Sequence, residues 1–450
     1  LKTATVNIGD RQKGREQASS IINSDYSSEK IYNSIKKSLS LNFKKKIEKT
    51  QNPYFKKNTA SNIVNIIEKK FLKKIPKLKN FMTSKKNIQM FWCNNCLNNS
   101  FRPRISFDKK GWCNACQWMV EKKRVNWKKR KKELLQIVKK FKSDSIYDCI
   151  VPVSGGKDGS YVASKIRDEL GLNPLTITSR PPLELNVGKK NLTNFLKHGY
   201  DHVHITSNYK AMQKLNKLGF IKKGSPYYGW LTSVFSSVLK IAVQHNINLI
   251  FYGEDGEIEY GGSTENKNKP IFDAKYMINN YFEGGYHQIL KQSKLSKKEL
   301  YWFEFPAKEI EKKSIGLTHW GYFEPWDSYR NYLVAKSKFN LDEHEQNSAG
   351  TFTNFAQNDQ SLFALHTYLM YLKFGFGRAT QDVGIEIRRK AMTREQGLNL
   401  VKLYDNHFPE EFMGDYLEYF EMSKSQFIKV IDFWANKKLF KKVKGQWMPR

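Results

Sequence analysis

Two sets of residues in this 450-residue sequence have the types and spacing to do chemistry. The first is Cys93-x-x-Cys96 followed by Cys113-x-x-Cys116. Two thiol pairs, each presented on a short turn such as Asn94-Asn95 or Asn114-Ala115, fit the four-cysteine zinc pattern, and four thiolates around a tetrahedral Zn²⁺ leave no position open for substrate. The spacing predicts a structural zinc ribbon rather than a disulfide framework. The second set is Ser154-Gly155-Gly156-Lys157-Asp158-Gly159-Ser160, between an apolar run and a helical pattern. Consecutive N–H groups in a glycine-rich turn at a helix N-terminus form a concavity suited to phosphate. The spacing is not that of a Walker A loop, and a plain glycine turn is the alternative. Cys149, the fifth cysteine, lies in the apolar run with no activating base nearby and reads as a core residue.

The elements that must position these residues follow from periodicity. Ile146 to Val153, Pro174 to Thr178, Val203 to Thr206 and Ile247 to Tyr252 are strand candidates. Tyr161 to Leu170, and Trp230, Leu231, Val234, Phe235, Val238 and Ile241, fall at helical intervals. Such βαβ alternation predicts an α/β fold with a doubly wound parallel sheet, in which ligands bind at the carboxyl ends of the strands. Glu254 and Asp255 follow a strand candidate and are expected at that edge, where they could hold Mg²⁺ or a sugar hydroxyl; acidic residues in a surface turn are the alternative. Five regions are expected: residues 1–72, basic and mostly helical, with Ile63, Ile66, Ile67 and Phe71 on one helix face; a linker, 73–90; the zinc ribbon, 91–121; the sheet domain, 122–330; and a helical region, 331–450. A charged helix is expected around Trp127 to Phe141. In the last region Thr393 with Gln396, and Ser423 with Gln426, have capping-box spacing.

The glycine-rich segment resembles the S-G-G-x-D-S signature of the PP-loop ATP pyrophosphatases. The resemblance implies that Ser154, Gly155, Gly156, Gly159 and Ser160 cradle phosphates, Lys157 neutralises charge on leaving pyrophosphate, and Asp158 holds Mg²⁺ or orients the loop. Gly159 stands between Asp158 and the serine, so Ser160 either takes the serine's place one residue late or Gly159 exposes more backbone. From Phe91 onward the chain is similar to the N-acetyl sugar amidotransferase family. The carriers are Phe107-Asp108, Gly111-x-Cys113-Asn114-Ala115-Cys116, Asn191-Leu192, Ile250-Phe251-Tyr252-Gly253-Glu254, Gly321-Tyr322-Phe323, Pro325-Trp326-Asp327, Gly350-Thr351-Phe352-Thr353-Asn354 and Lys373-Phe374-Gly375-Phe376-Gly377-Arg378-Ala379-Thr380. It implies ATP and Mg²⁺ as cofactors, Thr178 and Gly253 at the nucleotide, and Lys157, Asp158, Glu254, Lys373 and Arg378 as catalytic residues. The implied reaction adenylates an N-acetyl oxygen of a sugar, replaces it with ammonia and releases AMP and pyrophosphate, within surface-polysaccharide or nonulosonic acid biosynthesis. Lys373 and Arg378 could instead only cap helix carbonyls. The aromatic stretch Trp320 to Trp326 could stack on adenine or a sugar, with core packing the default. Residues 1–72, through Asn7-Ile8-Gly9-Asp10-Arg11-Gln12-Lys13-Gly14-Arg15 and Asn52-Pro53-Tyr54, resemble the C-terminal tail of hydrolysing UDP-N-acetylglucosamine 2-epimerases. No epimerase activity is expected from a tail alone.

Composition bounds these readings. The formal net charge is +34, and such an excess attracts polyanions. Lysine nevertheless accompanies abundant Asn, Ile, Tyr and Phe, the set that A/T-rich codons favour, so a solvated lysine-rich surface is expected rather than a nucleic-acid footprint. No apolar run is long enough to cross a membrane and no signal pattern opens the chain, which predicts a soluble, cytoplasmic protein. No glutaminase constellation is evident, so ammonia is expected from a separate partner. Two other classes compete: a PP-loop thiolase acting on transfer RNA, and a non-catalytic zinc-ribbon interaction protein.

Overall fold

The computed structural model describes residues 3–10, 16–50, 90–282 and 286–450. It forms two compact units, Leu1–Lys85 and Lys86–Arg450. In the first, β1 (Thr5–Ile8) and β2 (Ile21–Ser24) pair in parallel and precede helices Ser28–Leu39 and Leu41–Glu48. A mostly helical pattern was expected there, but Thr5, Val6, Ile8, Ile21 and Ile22 are largely β-branched and favour a pleated pair. The expected helix through Ile63 and Phe71, and the linker after it, lie outside the described residues.

The second unit is built on five parallel strands: β3 (Cys149–Pro152), β4 (Pro174–Ser179), β5 (His202–Ile205), β6 (Leu249–Tyr252) and β7 (Gly316–His319). They lie in the order β5-β4-β3-β6-β7. Side chains alternate between two cores. Ile150, Ile250 and Leu317 join one with Met212, Leu239 and Phe282, while Cys149, Val151, Leu249 and Phe251 join the other with Tyr161, Phe195 and Trp320. Both faces are covered, which is why these strands read as continuous apolar runs. β7 escaped the sequence reading because Gly316-Leu317-Thr318-His319 carries one aliphatic residue; Gly316 is required there, since a Cβ would come within 2.7 Å of the Phe141 ring.

Chain order sets the site. β3 leads outward through helices Lys157–Ser164 and Asn186–Leu196 to β4 and β5; helix Tyr228–Gln244 then returns the chain to β6 on the opposite side of β3. This reversal puts a topological switch point between the carboxyl ends of β3 and β6, where open α/β sheets bind ligands.

The C-terminal residues are helical as expected. Leu362–Phe374, Met413–Phe420 and Lys424–Trp434 pack around Leu365, Leu369, Tyr416, Phe420 and Phe427. Both capping boxes, Thr393 with Gln396 and Ser423 with Gln426, are formed. An unexpected antiparallel hairpin, β8 (Phe440–Val443) and β9 (Gln446–Pro449), closes the chain. Its two-residue turn puts Lys444 and Gly445 at φ 48° and 83°, the doubly left-handed geometry that matches strand twist. Among the described residues no helix is long and apolar enough to cross a membrane.

Candidate active site

The four cysteines come together. Their Sγ atoms all lie within 4.8 Å of one another, with Cys93 to Cys116 at 3.7 Å and Cys96 to Cys113 at 3.6 Å. Zn–S bonds of about 2.3 Å in a tetrahedron put sulfurs about 3.8 Å apart, so the cluster could hold zinc. N–H groups are aimed at the sulfurs: Cys113 N at Cys93 (3.1 Å), Asn98 N at Cys96 (3.4 Å), Asn98 Nδ2 at Cys113 (3.4 Å) and Asn95 Nδ2 at Cys116 (3.3 Å). Those donors offset thiolate charge. All four cysteines are buried, which fits a closed, structural centre. Asn114-Ala115 opens helix Asn114–Glu121, with Cys113 as its N-cap, where a tight turn had been expected.

This module is fastened to the segment after β6. Asn98 Nδ2 donates to the Tyr260 carbonyl at 3.0 Å and Asn114 Nδ2 to that of Gly262. Trp118 Nε1 and Lys122 Nζ donate to the Glu259 carboxylate at 2.8 and 2.6 Å, and Arg104 grips Glu257 through two bonds. The short helix Gly256–Tyr260, capped by Asp255, is thereby held from the ribbon side.

At the switch point, Val153 to Gly156 turn from β3 into helix Lys157–Ser164. Gly155 has φ +77°, and a Cβ there would strike the Leu192 backbone nitrogen at 2.2 Å, so glycine is obligatory. Among the described residues, none of the backbone N–H groups from Ser154 to Gly159 meets a backbone acceptor. Gly159 faces inward, where a Cβ would lie 2.9 Å from the Pro152 carbonyl oxygen. Its role in the fold is therefore close packing of helix on strand. Ser160 is fully buried and its Oγ has no hydrogen-bond partner.

Lys157 is buried and ion-paired with Asp158. The other Asp158 oxygen accepts from Asn331 Nδ2 at 3.0 Å. Asn331 is fully buried in helix Ser328–Phe339, whose N-terminus Asp327 caps. Arg330 Nη2 donates to Asn331 Oδ1 (3.2 Å) and Glu324 (2.9 Å), and Tyr161 donates to the same Glu324 oxygen at 2.7 Å. Asn331 and Arg330, single polar residues on helix Ser328–Phe339, and Glu324, in the loop before it, were missed because none of them carries a motif.

Gly253 and Glu254 face this loop from β6. A Cβ on Gly253 would lie 3.2 Å from the Trp326 ring and 3.6 Å from Asp158 Cβ. Burial, then the neighbouring Asp158 charge, pushes the Glu254 carboxyl up to about 7. Its Oε1 accepts from Tyr260 at 3.4 Å. Burial likewise raises Asp255 to about 7 and lowers His319 to about 3. Two adjacent carboxyls with raised pKa values at a strand end are suited to a cation or a proton.

The other expected site residues divide. Thr178 is buried at the end of β4 and donates to the Val153 carbonyl, bracing the loop. It also lines a cavity of about 200 Å³ with Ser154, Gly188, Trp230 and Asp359. Arg378 opens helix Arg378–Arg388, is nine-tenths buried, and interacts electrostatically with Tyr260 and Glu254. Lys373 is placed elsewhere. Its Nζ donates at 2.8 Å to the carbonyl of Lys223, the last residue of helix Tyr209–Lys223, and lies 5.2 Å from the Trp434 ring. Of the aromatic stretch, Trp320 and Phe323 are core residues and Trp326 alone abuts Gly253.

Comparison with known proteins adds matches at both ends of the chain. The family described as LPS biosynthesis protein WbpG-like, C-terminal domain, matches residues 349–449. The family described as UDP-N-acetylglucosamine 2-epimerase matches residues 1–68. Each covers less than a quarter of the chain. Polysialic acid biosynthesis protein P7 of Escherichia coli is 44% identical over 73 residues, 16% of this chain and 18% of that protein. The chain thus spans under a fifth of that relative's length. A solved structure described as a predicted subunit of tRNA methyltransferase from Methanocaldococcus jannaschii is 18% identical, over 55% of this chain and 90% of that one, with a TM-score of 0.25, well short of a shared architecture.

Proposed function

We propose that this protein works in surface-sugar biosynthesis as an ATP-dependent amidotransferase that converts an N-acetyl group into an acetamidino group, releasing AMP and pyrophosphate. One observation carries the reading: a glycine-rich turn at the switch point whose N–H groups from Ser154 to Gly159 meet no backbone acceptor among the described residues, beside buried Lys157 and Asp158 and opposite Glu254. The WbpG-like and epimerase matches, and the polysialic acid relative, support the sugar pathway.

An amide oxygen is a poor leaving group, so ammonia cannot displace it directly. Attack of that oxygen on the α phosphorus of ATP makes it one, with pyrophosphate as the departing group. In this reading the Ser154–Gly159 amides receive the charge that gathers on pyrophosphate, Lys157 adds a cation, and Asp158, oriented by Asn331, holds the loop in register. Glu254 and Asp158 would hold Mg²⁺, which supplies further charge neutralisation. The cavity beside Trp230 and Thr178 is sited for the adenine ring, and ammonia then displaces AMP from the activated carbon. The four cysteines stay out of the chemistry and stiffen the Gly253–Gly262 segment.

A thiolase requires a reactive cysteine near the loop. Outside the cluster the sequence offers only Cys149, which is fully buried in β3, its thiol pushed up by burial. The test is product chromatography with ATP, Mg²⁺, ammonium and N-acetylated sugar acids or nucleotide sugars. AMP and pyrophosphate formed only when the sugar is present support the proposal; ADP and phosphate, or no sugar dependence, refute it.

A further inference from the structure

The cavity of about 200 Å³ beside Trp230 and Thr178 has one wall that the steps above leave unused. Of the residues lining it, Asp359 alone comes from the C-terminal region, within the stretch that the WbpG-like family matches. Segment 359–361 is clamped to 183–185: Leu185 N donates to the Asp359 carbonyl at 2.9 Å, and Ser361 N donates to that of Leu183 at 3.0 Å. Gly188 seals the contact, since a Cβ there would lie 2.7 Å from Asp359 Cα. On this fixed backbone the carboxylate is unspent. Among the described residues it meets no side-chain donor and no cation, only the N–H groups of Asp359 itself and Gln360, and burial raises it to about 6. Glu184, the other carboxylate of the wall, is instead paired with Arg180 at 3.3 Å and Lys189 at 3.8 Å.

Its place along the cavity decides what it can hold. Gly155 of the loop packs on Leu192 and Gly188 packs on Asp359, and these two contacts lie one turn apart on helix Asn186–Leu196. One turn rises about 5.4 Å, so Asp359 stands about that far beyond the phosphate loop. In a nucleotide held by its phosphates, the ribose occupies that interval and the base lies farther on. A free carboxylate repels phosphate, while the apolar residues Ile177, Pro181, Val234 and Val238 of the same cavity suit the base. We infer that Asp359 accepts hydrogen bonds from the ribose 2′ and 3′ hydroxyls of ATP, so that the C-terminal region completes the nucleotide site and selects ribonucleotides. Two neighbouring O–H donors match the two oxygens of a carboxylate, the chemistry by which an acidic side chain holds ribose in dinucleotide-binding folds. The inference rests on the loop being an ATP site and not on the amidotransfer that follows.

The probes are ATP, 2′-deoxy-ATP and 3′-deoxy-ATP, titrated by calorimetry with Mg²⁺ and without any sugar. Wild type is expected to bind ATP at least about tenfold more tightly than either deoxynucleotide, the scale of a bond to a charged group. Asp359→Ala should bring all three within about threefold by weakening ATP, with Asp359→Asn in between. Equal binding of the three by wild type overturns the inference; this comparison needs no variant and stands even if Asp359→Ala misfolds. A ratio that survives Asp359→Ala, or one that Glu184→Gln removes instead, overturns it too, since a merely structural Asp359 would weaken all three alike. No binding of any nucleotide would sink the ATP reading of the loop, and the inference with it. Selective ATP binding with no AMP release from any sugar tested would leave Asp359 in its role and sink the amidotransferase reaction.

Discussion

Replacing Asn331 with leucine removes a side chain that donates to Asp158 from helix Ser328–Phe339. Asn331 is fully buried, so the leucine keeps its volume and the helix stays packed against Lys157–Ser164. What is lost is a 3.0 Å bond to a carboxylate, and with it the acceptor of Arg330 Nη2 at 3.2 Å. A bond to a charged group is worth about 1.5–3 kcal/mol, so sugar-dependent AMP formation should fall about ten- to hundredfold in kcat/KM. Asn331→Asp should be worse, because a third carboxylate would face Asp158 and Glu254. Asn194→Leu, which removes a 2.9 Å bond to the Asn340 carbonyl at the far end of the same helix and leaves the Asp158 contact in place, is the control. Initial rates of pyrophosphate release, with melting curves for each protein, make the assay. Asn331→Leu with wild-type kcat/KM would refute the idea that Asp158 must be oriented.

Lys157→Ala should cost about 2–4 kcal/mol of transition-state stabilisation, as for one preorganised electrostatic contact, read as kcat for AMP formation. Lys373→Met should lower the melting temperature and leave kcat within about threefold, because Lys373 caps a helix carbonyl; a kcat loss matching Lys157→Ala would show this placement to be misleading. Elemental analysis should find one zinc per chain, lost in Cys113→Ser together with stability, since structural zinc is worth about 10–16 kcal/mol of apparent binding energy in small fingers; a metal-free wild type would contradict it. Glu254 is raised from 4.5 to about 7, so the folded state binds its proton more tightly than the unfolded one. Its ionisation therefore costs stability progressively between those two values, and the full cost persists above about 7. Glu254→Gln should accordingly melt higher than wild type above pH 7 and equally below about pH 4.5; a melting difference that does not change with pH would exclude a raised carboxyl.

The four-cysteine cluster and the glycine-rich turn after β3 were legible because both depend on fixed residue types at fixed short spacing: two C-x-x-C pairs, and a glycine that must turn left-handed at Gly155. Four of the five central strands were legible from apolar runs between helical patterns, and the β3/β6 switch point then followed from chain order. β7 was not, since half its residues are glycine and histidine. Asn331 and Glu324 were invisible because they meet the loop only after more than 160 residues of intervening chain. Lys373 and Arg378 sit five residues apart in one glycine-rich motif, and only folding shows that one turns to a helix end and the other to the field of Tyr260 and Glu254. That Gly159 packs so closely on the Pro152 carbonyl was not legible, because the approach depends on how the helix sits on β3.

The central claim is that nitrogen from ammonia replaces an acetamido oxygen at the expense of ATP. Mass spectrometry of an N-acetylated sugar acid incubated with the protein, ATP, Mg²⁺ and ammonium tests it most directly. The product should lose about one dalton relative to the substrate, and ¹⁵N-ammonium should move it up by about one, in amounts equal to the AMP released. An unchanged sugar across a panel of acids and nucleotide sugars, or a product whose mass ignores the nitrogen isotope, would contradict it.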